Sequence, residues 1–351
     1  MPIKMSITPK LPAIPPLDTE VQQRALERQS KLVKPRGSLG QLEILSVRLA
    51  GMTGDMSWLP RQPTVVICAG DHGVAERGVS AYPRQVTKQM VGSILNGGAA
   101  SKVLANQMGA DVVVVDAGVA GILPEHDWLA SGKINYGTAD FTQGPAMSPG
   151  QADKAIQLGL DVVNAVINNG ADLIVVGEIG IGNTTIAAAI TAAMTGKAVE
   201  KVVGRGTGIN ANQLHRKMQL VQKTLNRHQP VDEDTLPKLG GYEVGAMIGI
   251  MIGAASRRTP VVLDGYTTAA ATLIAARIDP KVLQYCVAGH TSTEPGHQIA
   301  LQALGLTPIL NLNMRLGEAT GAILAIPVIE AAMRLLQDMS TFGEAGVSGA
   351  T

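Results

Sequence analysis

The sequence predicts an α/β fold: three layers, with a six-stranded, mostly parallel sheet between two layers of helices. Three observations carry the prediction. Six short apolar runs are unbroken rather than alternating, as in strands buried on both faces. Segments of helical period separate them. The composition, 46% hydrophobic with only 3% aromatic and 40 glycines, favours a core of small aliphatic side chains in close helix–sheet contact.

The strands are expected at residues 64–69, 111–116, 172–177, 259–264, 284–288 and 307–312. Helical patterns occupy 86–108, 148–169, 184–194, 210–227, 241–256, 267–277 and 294–304. Strand–helix alternation implies right-handed crossovers and a parallel sheet. A catalytic α/β domain is therefore expected over residues 60–320. The segment 1–55 differs. Residues 1–16 are Pro-rich and expected to be extended. Asp18-Thr19 caps a helix reaching about Lys31, and Ser38 is expected to cap a second helix reaching about Ala50. These two helices have no strand between them. They are expected to form a small helical subdomain with the helix 318–339 of the C-terminal segment 321–351, where Pro327 predicts a kink. The Gly/Ser/Ala-rich tail 340–351 is expected to fray.

With 29 basic and 28 acidic residues the formal charge is +1, and neither charge nor aromatic content suits nucleic acid. Cys68 and Cys286 both lie in apolar runs and read as buried free thiols, which fits a cytoplasmic protein. Residues 1–16 lack the apolar stretch of a secretory signal. The apolar segments 244–255 and 321–333 fall short of the roughly 18 residues a membrane span needs, so no span is expected.

Function is written where each strand ends. The first run leads into Gly70-Asp71-His72-Gly73, the second ends on Asp116, and the third gives Glu178 and a Gly-Ile-Gly-Asn-Thr-Thr turn. The fourth gives Asp264, the fifth His290-Thr291-Ser292-Thr293-Glu294, and the sixth leads to Arg315 and Glu318. Polar groups at the carboxyl ends of all the strands mark the edge where open α/β sheets bind ligands. Any one such loop is explained by turn chemistry, since Gly, Asp and Asn punctuate most strands. Glu318 and Glu178 are the two acids placed best for catalysis.

Residues 177–185 combine glycines with a helix start, which suits a phosphate or carboxylate. Gly204-Arg205-Gly206-Thr207-Gly208 is a second candidate cradle. Neither completes a dinucleotide fingerprint or a Walker-type ending. Asp71-His72, His290 and His297 form no zinc-type spacing, so neither metal nor cofactor is expected. Ser292 lacks a nucleophile elbow and reads as a ligand-binding hydroxyl.

In order and number, these loops resemble the nicotinate-nucleotide–dimethylbenzimidazole phosphoribosyltransferases. The motifs are Gly70-Asp71-His72-Gly73-Val74, Gly78-Val79-Ser80-Ala81-Tyr82-Pro83, the loops 177–185, 204–208 and 289–297, Leu263-Asp264-Gly265, and the segment 315–321. The resemblance runs from Lys34 to Glu330. It implies a Rossmann-like sheet with a small helical domain and a homodimer. The implied reaction, in cobalamin nucleotide-loop assembly, moves phosphoribose from nicotinate mononucleotide to 5,6-dimethylbenzimidazole. By the same match Glu318 is the general base, and Glu178 is the candidate to stabilise positive charge. Ser80, Tyr82 and Gln89 fall near the benzimidazole. Gly177, Gly180, Asn183, Gly204, Arg205, Gly206, Thr207, Gly208, Asp264 and Ser292 fall near the phosphate and ribose. Ala319 stands where the family pattern has glycine. Two other readings compete: a dinucleotide oxidoreductase, disfavoured by the missing fingerprint, and a non-catalytic nucleotide sensor, disfavoured by the two carboxylates.

Overall fold

A computed structural model describes residues 10–230 and 234–348. The expectations for the first nine residues and for 349–351 lie outside the described residues. Six parallel strands form one sheet: β1 (Pro63–Gly70), β2 (Asp111–Gly118), β3 (Leu129–Ser131), β4 (Leu173–Ile179), β5 (Val261–Leu263) and β6 (Cys286–Ala288). Their order is β3-β2-β1-β4-β5-β6. The chain runs outward from β1 in one direction and from β4 in the other, so the loops after these two central strands diverge and leave a crevice.

Every residue of β1 is buried, and the unbroken apolar pattern follows from helices on both faces. On one face the helix Tyr242–Ser256 is buried from Tyr242 to Ala255 and lies against Pro149–Asn168. The backbones touch: a Cβ on Gly249 would stand 2.0 Å from the Ile156 carbonyl oxygen. The abundance of small residues is thus a packing requirement.

One expected strand is absent. Residues 307–312 make a single parallel bridge, His290 with Leu310. Pro308 has no N–H to donate, and the segment lies half-exposed at the sheet edge. The sixth strand is instead β3, a three-residue edge strand whose partly exposed Leu-Ala-Ser carries no apolar run. The expected helix 86–108 is two helices, Val86–Leu95 and Ala100–Gln107, broken at Gly97 with φ +85°. Asp18 caps the helix Thr19–Lys31 by accepting from the Val21 N–H at 2.9 Å. Ser38 caps nothing; the helix Gln41–Thr53 begins after Gly40.

The long helix Thr320–Asp338 holds Pro327 in its interior and packs against Gln41–Thr53. Arg28 closes its C-terminal end, with Nε donating to the Leu336 carbonyl (2.6 Å) and Nη2 to those of Gln337 (2.8 Å) and Met339 (3.1 Å). A short helix Phe342–Ala345 follows, in what the sequence reads as a fraying tail. At 19 residues with mean hydropathy 1.3, Thr320–Asp338 is long and apolar enough to cross a membrane by composition alone, which the apolar segment 321–333 did not suggest. It is a core helix: 56% of that apolar window is buried against protein. Both cysteines are free and buried, and burial pushes both thiols up.

Candidate active site

The carboxyl ends of β4, β5 and β6 open into a cleft of about 480 Å³. Its wall takes Glu178, Gly180, Asn183 and Thr184 from β4 and the following turn, and Gly206 and Thr207 from the glycine loop. Gly265, Thr267, His290, Ser292 and Glu294 come from beyond β5 and β6, and Arg315 to Gly317 from the last loop. Tyr82 stands at the mouth, 56% exposed. Loops scattered over more than two hundred residues of chain converge because a parallel sheet delivers every strand end to one edge.

One end of the cleft is acidic. Glu178 is buried, and its carboxylate accepts from the Asn183 side-chain amide. Burial, then the neighbouring Glu243 and Asp264 charges, push its pKa up to about 8 against the pull of Asn183. Glu243 is itself fully buried beside His72, with Oε1 3.1 Å from Nε2. Glu318 lies directly behind Gly317, with its own N–H donating to the Glu178 carbonyl at 3.1 Å. Its carboxylate meets the Ser101 hydroxyl at 3.4 Å, a long contact for an O–H···O bond. Burial, and after it the Asp264 charge, raise the Glu318 pKa while Ser101 opposes. The sequence places Glu318 at the end of a strand over 307–312. The structure places it instead in a left-handed turn, Gly317, Glu318 and Ala319 having φ of +84°, +59° and +65°. Each left-handed non-glycine residue costs about 1–2 kcal/mol, so this turn is held by its surroundings, as strained backbone at functional sites is.

The other end gathers two cations around the glycine loop. Lys217 is fully buried beneath the 204–208 loop, its ammonium donating to the Thr184 hydroxyl (2.8 Å) and the Gly204 carbonyl (3.1 Å). Burial lowers its pKa to about 8, while the Glu294 charge works the other way. Glu294 accepts from the Gly206 N–H at 2.8 Å, and Arg315 donates to the Gly206 carbonyl at 2.5 Å. The helix Asn183–Thr195 begins here and adds its positive end.

Of the residues expected from sequence, the cleft gathers Glu178, Gly180, Asn183, Gly206, Thr207, Ser292 and Tyr82. Ser80 joins indirectly, its hydroxyl 3.0 Å from that of Thr207. Gly177 is buried inside β4, and Gly204 lies under Glu294. Arg205 points to the Ile209 carbonyl (2.7 Å). Gln89, Arg205 and Gly208 are exposed and off the cleft wall. Asp264 and Glu318, each 2% exposed, both lie behind the wall, Glu318 directly under Gly317. Sequence reasoning missed Lys217 as a site residue, and named Thr184 and His290 only within the 177–185 and 289–297 loops. Lys217 lies mid-helix in Ala211–His228 with no motif around it, so no local signal marks it. Among the described residues no group of three or more His, Cys, Asp or Glu side chains could hold a metal ion.

A parallel α/β sheet with a polar cleft at the carboxyl ends of its strands, carboxylates at one side and cations at the other, has the architecture in which open α/β enzymes bind their ligands. A family model described as phosphoribosyltransferase matches residues 14–347. The chain is 50% identical to the nicotinate-nucleotide–dimethylbenzimidazole phosphoribosyltransferase of Chloroflexus aggregans, over 97% of this chain and 98% of that protein. It is 49% identical to the enzyme of the same name from Roseiflexus sp. strain RS-1, over 96% of each. The crystal structure of the Thermus thermophilus enzyme of that name superposes with a TM-score of 0.91, at 43% identity, over 95% of this chain and all of that one. The chain belongs to this phosphoribosyltransferase family and is a pentosyltransferase.

Proposed function

We propose that the protein transfers phosphoribose from nicotinate mononucleotide to 5,6-dimethylbenzimidazole, forming α-ribazole 5′-phosphate and nicotinate for cobalamin assembly. The observation that carries the reading is the division of one cleft into an anion-binding end and an acidic end. A ribonucleotide with a cationic nitrogen base presents these two charges at its two ends. The phosphate matches the Gly206 loop, Arg315 and the helix start at Asn183, with Lys217 supplying charge from beneath. The ribose and its pyridinium ring then lie toward Glu178 and Glu318.

The bond that breaks joins the ribose anomeric carbon to a pyridinium nitrogen, so nicotinate leaves neutral at that nitrogen and needs no proton. The bond that forms joins the same carbon to one imidazole nitrogen of the incoming base. That makes the ring cationic, and its second nitrogen must release a proton. Glu318 is the proposed acceptor; its raised pKa makes it a stronger base than an exposed carboxylate. Glu178 is proposed to face the oxocarbenium-like charge between the two events. Arrival of the pyridinium favours the ionised form of Glu178, so the nucleotide prepares its own electrostatic partner. Ser80, Tyr82 and Gln89 are proposed to flank the incoming benzimidazole. The anion-binding role proposed for Gly180, Asn183, Gly204, Arg205, Gly206, Thr207, Gly208 and Ser292 rests on the loops they form around this end.

The division of the chain is part of the same reading. Residues 60–320 carry the chemistry, and segments 1–55 and 321–351 form the helical part, a division supported by the Arg28 clamp. So are a cytoplasmic setting and a homodimer, the latter checked by light scattering. The deciding experiment is nicotinate release from nicotinate mononucleotide with and without 5,6-dimethylbenzimidazole. Base-dependent release with a ribosylated product is expected. Release without the base would make the protein a nucleotide hydrolase, and no release in either mixture would overturn the reading.

A further inference from the structure

We infer that Asp264 is a positioning residue for Glu318, acting through the first turn of the helix Thr320–Asp338 rather than by touching the nucleotide. The inference rests on the reading of Glu318 as the base.

Three contacts carry it. Asp264 Oδ1 accepts from two successive backbone N–H groups, Gly321 at 2.9 Å and Ala322 at 3.1 Å. These are free donors at the start of the helix, and Glu318 lies three residues before the first of them. A carboxylate there both completes the hydrogen bonds and meets the positive end of the helix. Second, His290 Nε2 lies 3.4 Å from the same Oδ1, and the imidazole fills the space beside Gly321. A Cβ on Gly321 would come within 2.0 Å of that ring. Third, Gly177 on β4 leaves room for the turn from the opposite side, since a Cβ there would stand 2.3 Å from the Ala319 nitrogen.

The left-handed turn at Gly317, Glu318 and Ala319 is thereby held at both ends. The Glu178 carbonyl holds the Glu318 N–H, and the Asp264 carboxylate holds the helix that follows. Released from Asp264, the first helical turn loses its cap and the strained backbone relaxes toward ordinary φ. The Glu318 carboxylate then leaves its place. Displacement of a catalytic group by about 1 Å costs on the order of 100-fold. Asp264 itself is buried and stands behind the cleft wall.

The test is steady-state kinetics with both substrates on Asp264→Ala, Asp264→Asn, Glu318→Gln and the Asp264→Ala/Glu318→Gln double variant. Asp264→Ala is expected to lower kcat about 100-fold with the nucleotide KM changed less than about twofold. Asp264→Asn keeps an oxygen for both N–H groups and is expected to stay within about fivefold of the parent kcat. In the Glu318→Gln background Asp264→Ala should add no further loss, because a misplaced base and a missing base are the same defect. If Asp264→Ala folds poorly, Asp264→Ser is read the same way. A nucleotide KM raised more than about tenfold with kcat intact would make Asp264 a ligand of the nucleotide and overturn the inference. So would losses that multiply in the double variant while Glu318→Gln alone is nearly inactive. Full activity of Glu318→Gln removes the base assignment, and this inference with it.

Discussion

The two ends of the cleft are assembled by opposite physical rules. At the cationic end charge is balanced: Lys217 faces Glu294, and Gly206 gives its N–H to Glu294 and its carbonyl to Arg315. At the acidic end charge is left unbalanced. Glu178, Glu243, Asp264 and Glu318 converge with two histidines, His72 and His290, as their nearest basic neighbours. A balanced end keeps its charges paired; at the acidic end burial and like charge keep a proton on Glu178, which a cation can displace. On the proposed function the difference separates binding from chemistry within one pocket: loss of the cationic end should weaken substrate capture, and loss of the acidic end should slow turnover.

Glu318→Gln should show the largest effect, a fall in kcat of about 10²–10⁴-fold with nucleotide affinity held within about twofold. Kinetics paired with calorimetric binding would break the comparison if affinity fell instead. Lys217→Met should do the reverse, raising the nucleotide KM about 10- to 100-fold, the worth of a charged hydrogen bond, with the smaller effect on kcat. A kcat collapse at unchanged KM would erase the distinction between the ends.

Proton linkage sharpens the comparison. Burial and the neighbouring carboxylates push the Glu178 pKa up to about 8, and a bound pyridinium is expected to favour release of its proton. Lys217 loses its charge over the same range, so the Glu178 part is read as the ratio of parent to Glu178→Gln affinity, which should rise from about pH 7 to pH 9 by at most about tenfold per unit. The same group acts on stability with a definite sign. Its folded pKa, about 8, lies above the ordinary value of 4.5. Between these pH values the folded chain keeps a proton the unfolded chain has released, so stability falls as pH rises through that window. Thermal unfolding of Glu178→Gln should lose this decline; an unchanged slope would show that Glu178 ionises normally. Smallest of all, Ala319→Gly should raise the unfolding midpoint by about 1–3 °C, because glycine takes φ +65° without steric cost. A lower midpoint would mean that the Ala319 methyl contributes more by packing than its backbone loses.

Much of this was legible in the chain itself. Five of the six strand positions, most of the helices between them and the place of Glu178 follow from local signals: unbroken apolar runs, helical periodicity, and polar residues at strand ends. Burial on both faces is a property of each strand alone, so one-dimensional pattern suffices. The same local logic misplaced the sixth strand. Residues 307–312 carry an apolar pattern but end as a single bridge, whereas Leu129–Ser131 pairs with β2 with no pattern at all. Edge strands are chosen by the hydrogen bonds their neighbour offers, which a single segment does not encode.

The sequence by itself thus determined the class of sheet and the edge at which its polar loops gather, and it singled out Glu178 and Glu318 as the acids to test. Tertiary structure alone decided which side chains meet there. It set Lys217 beneath a glycine loop, gave the Asp264 carboxylate to a helix start, and bent Gly317, Glu318 and Ala319 into a left-handed turn. Each depends on two segments distant in the chain occupying one place. A residue type carries its chemistry with it, but the partner that directs that chemistry is supplied by the fold.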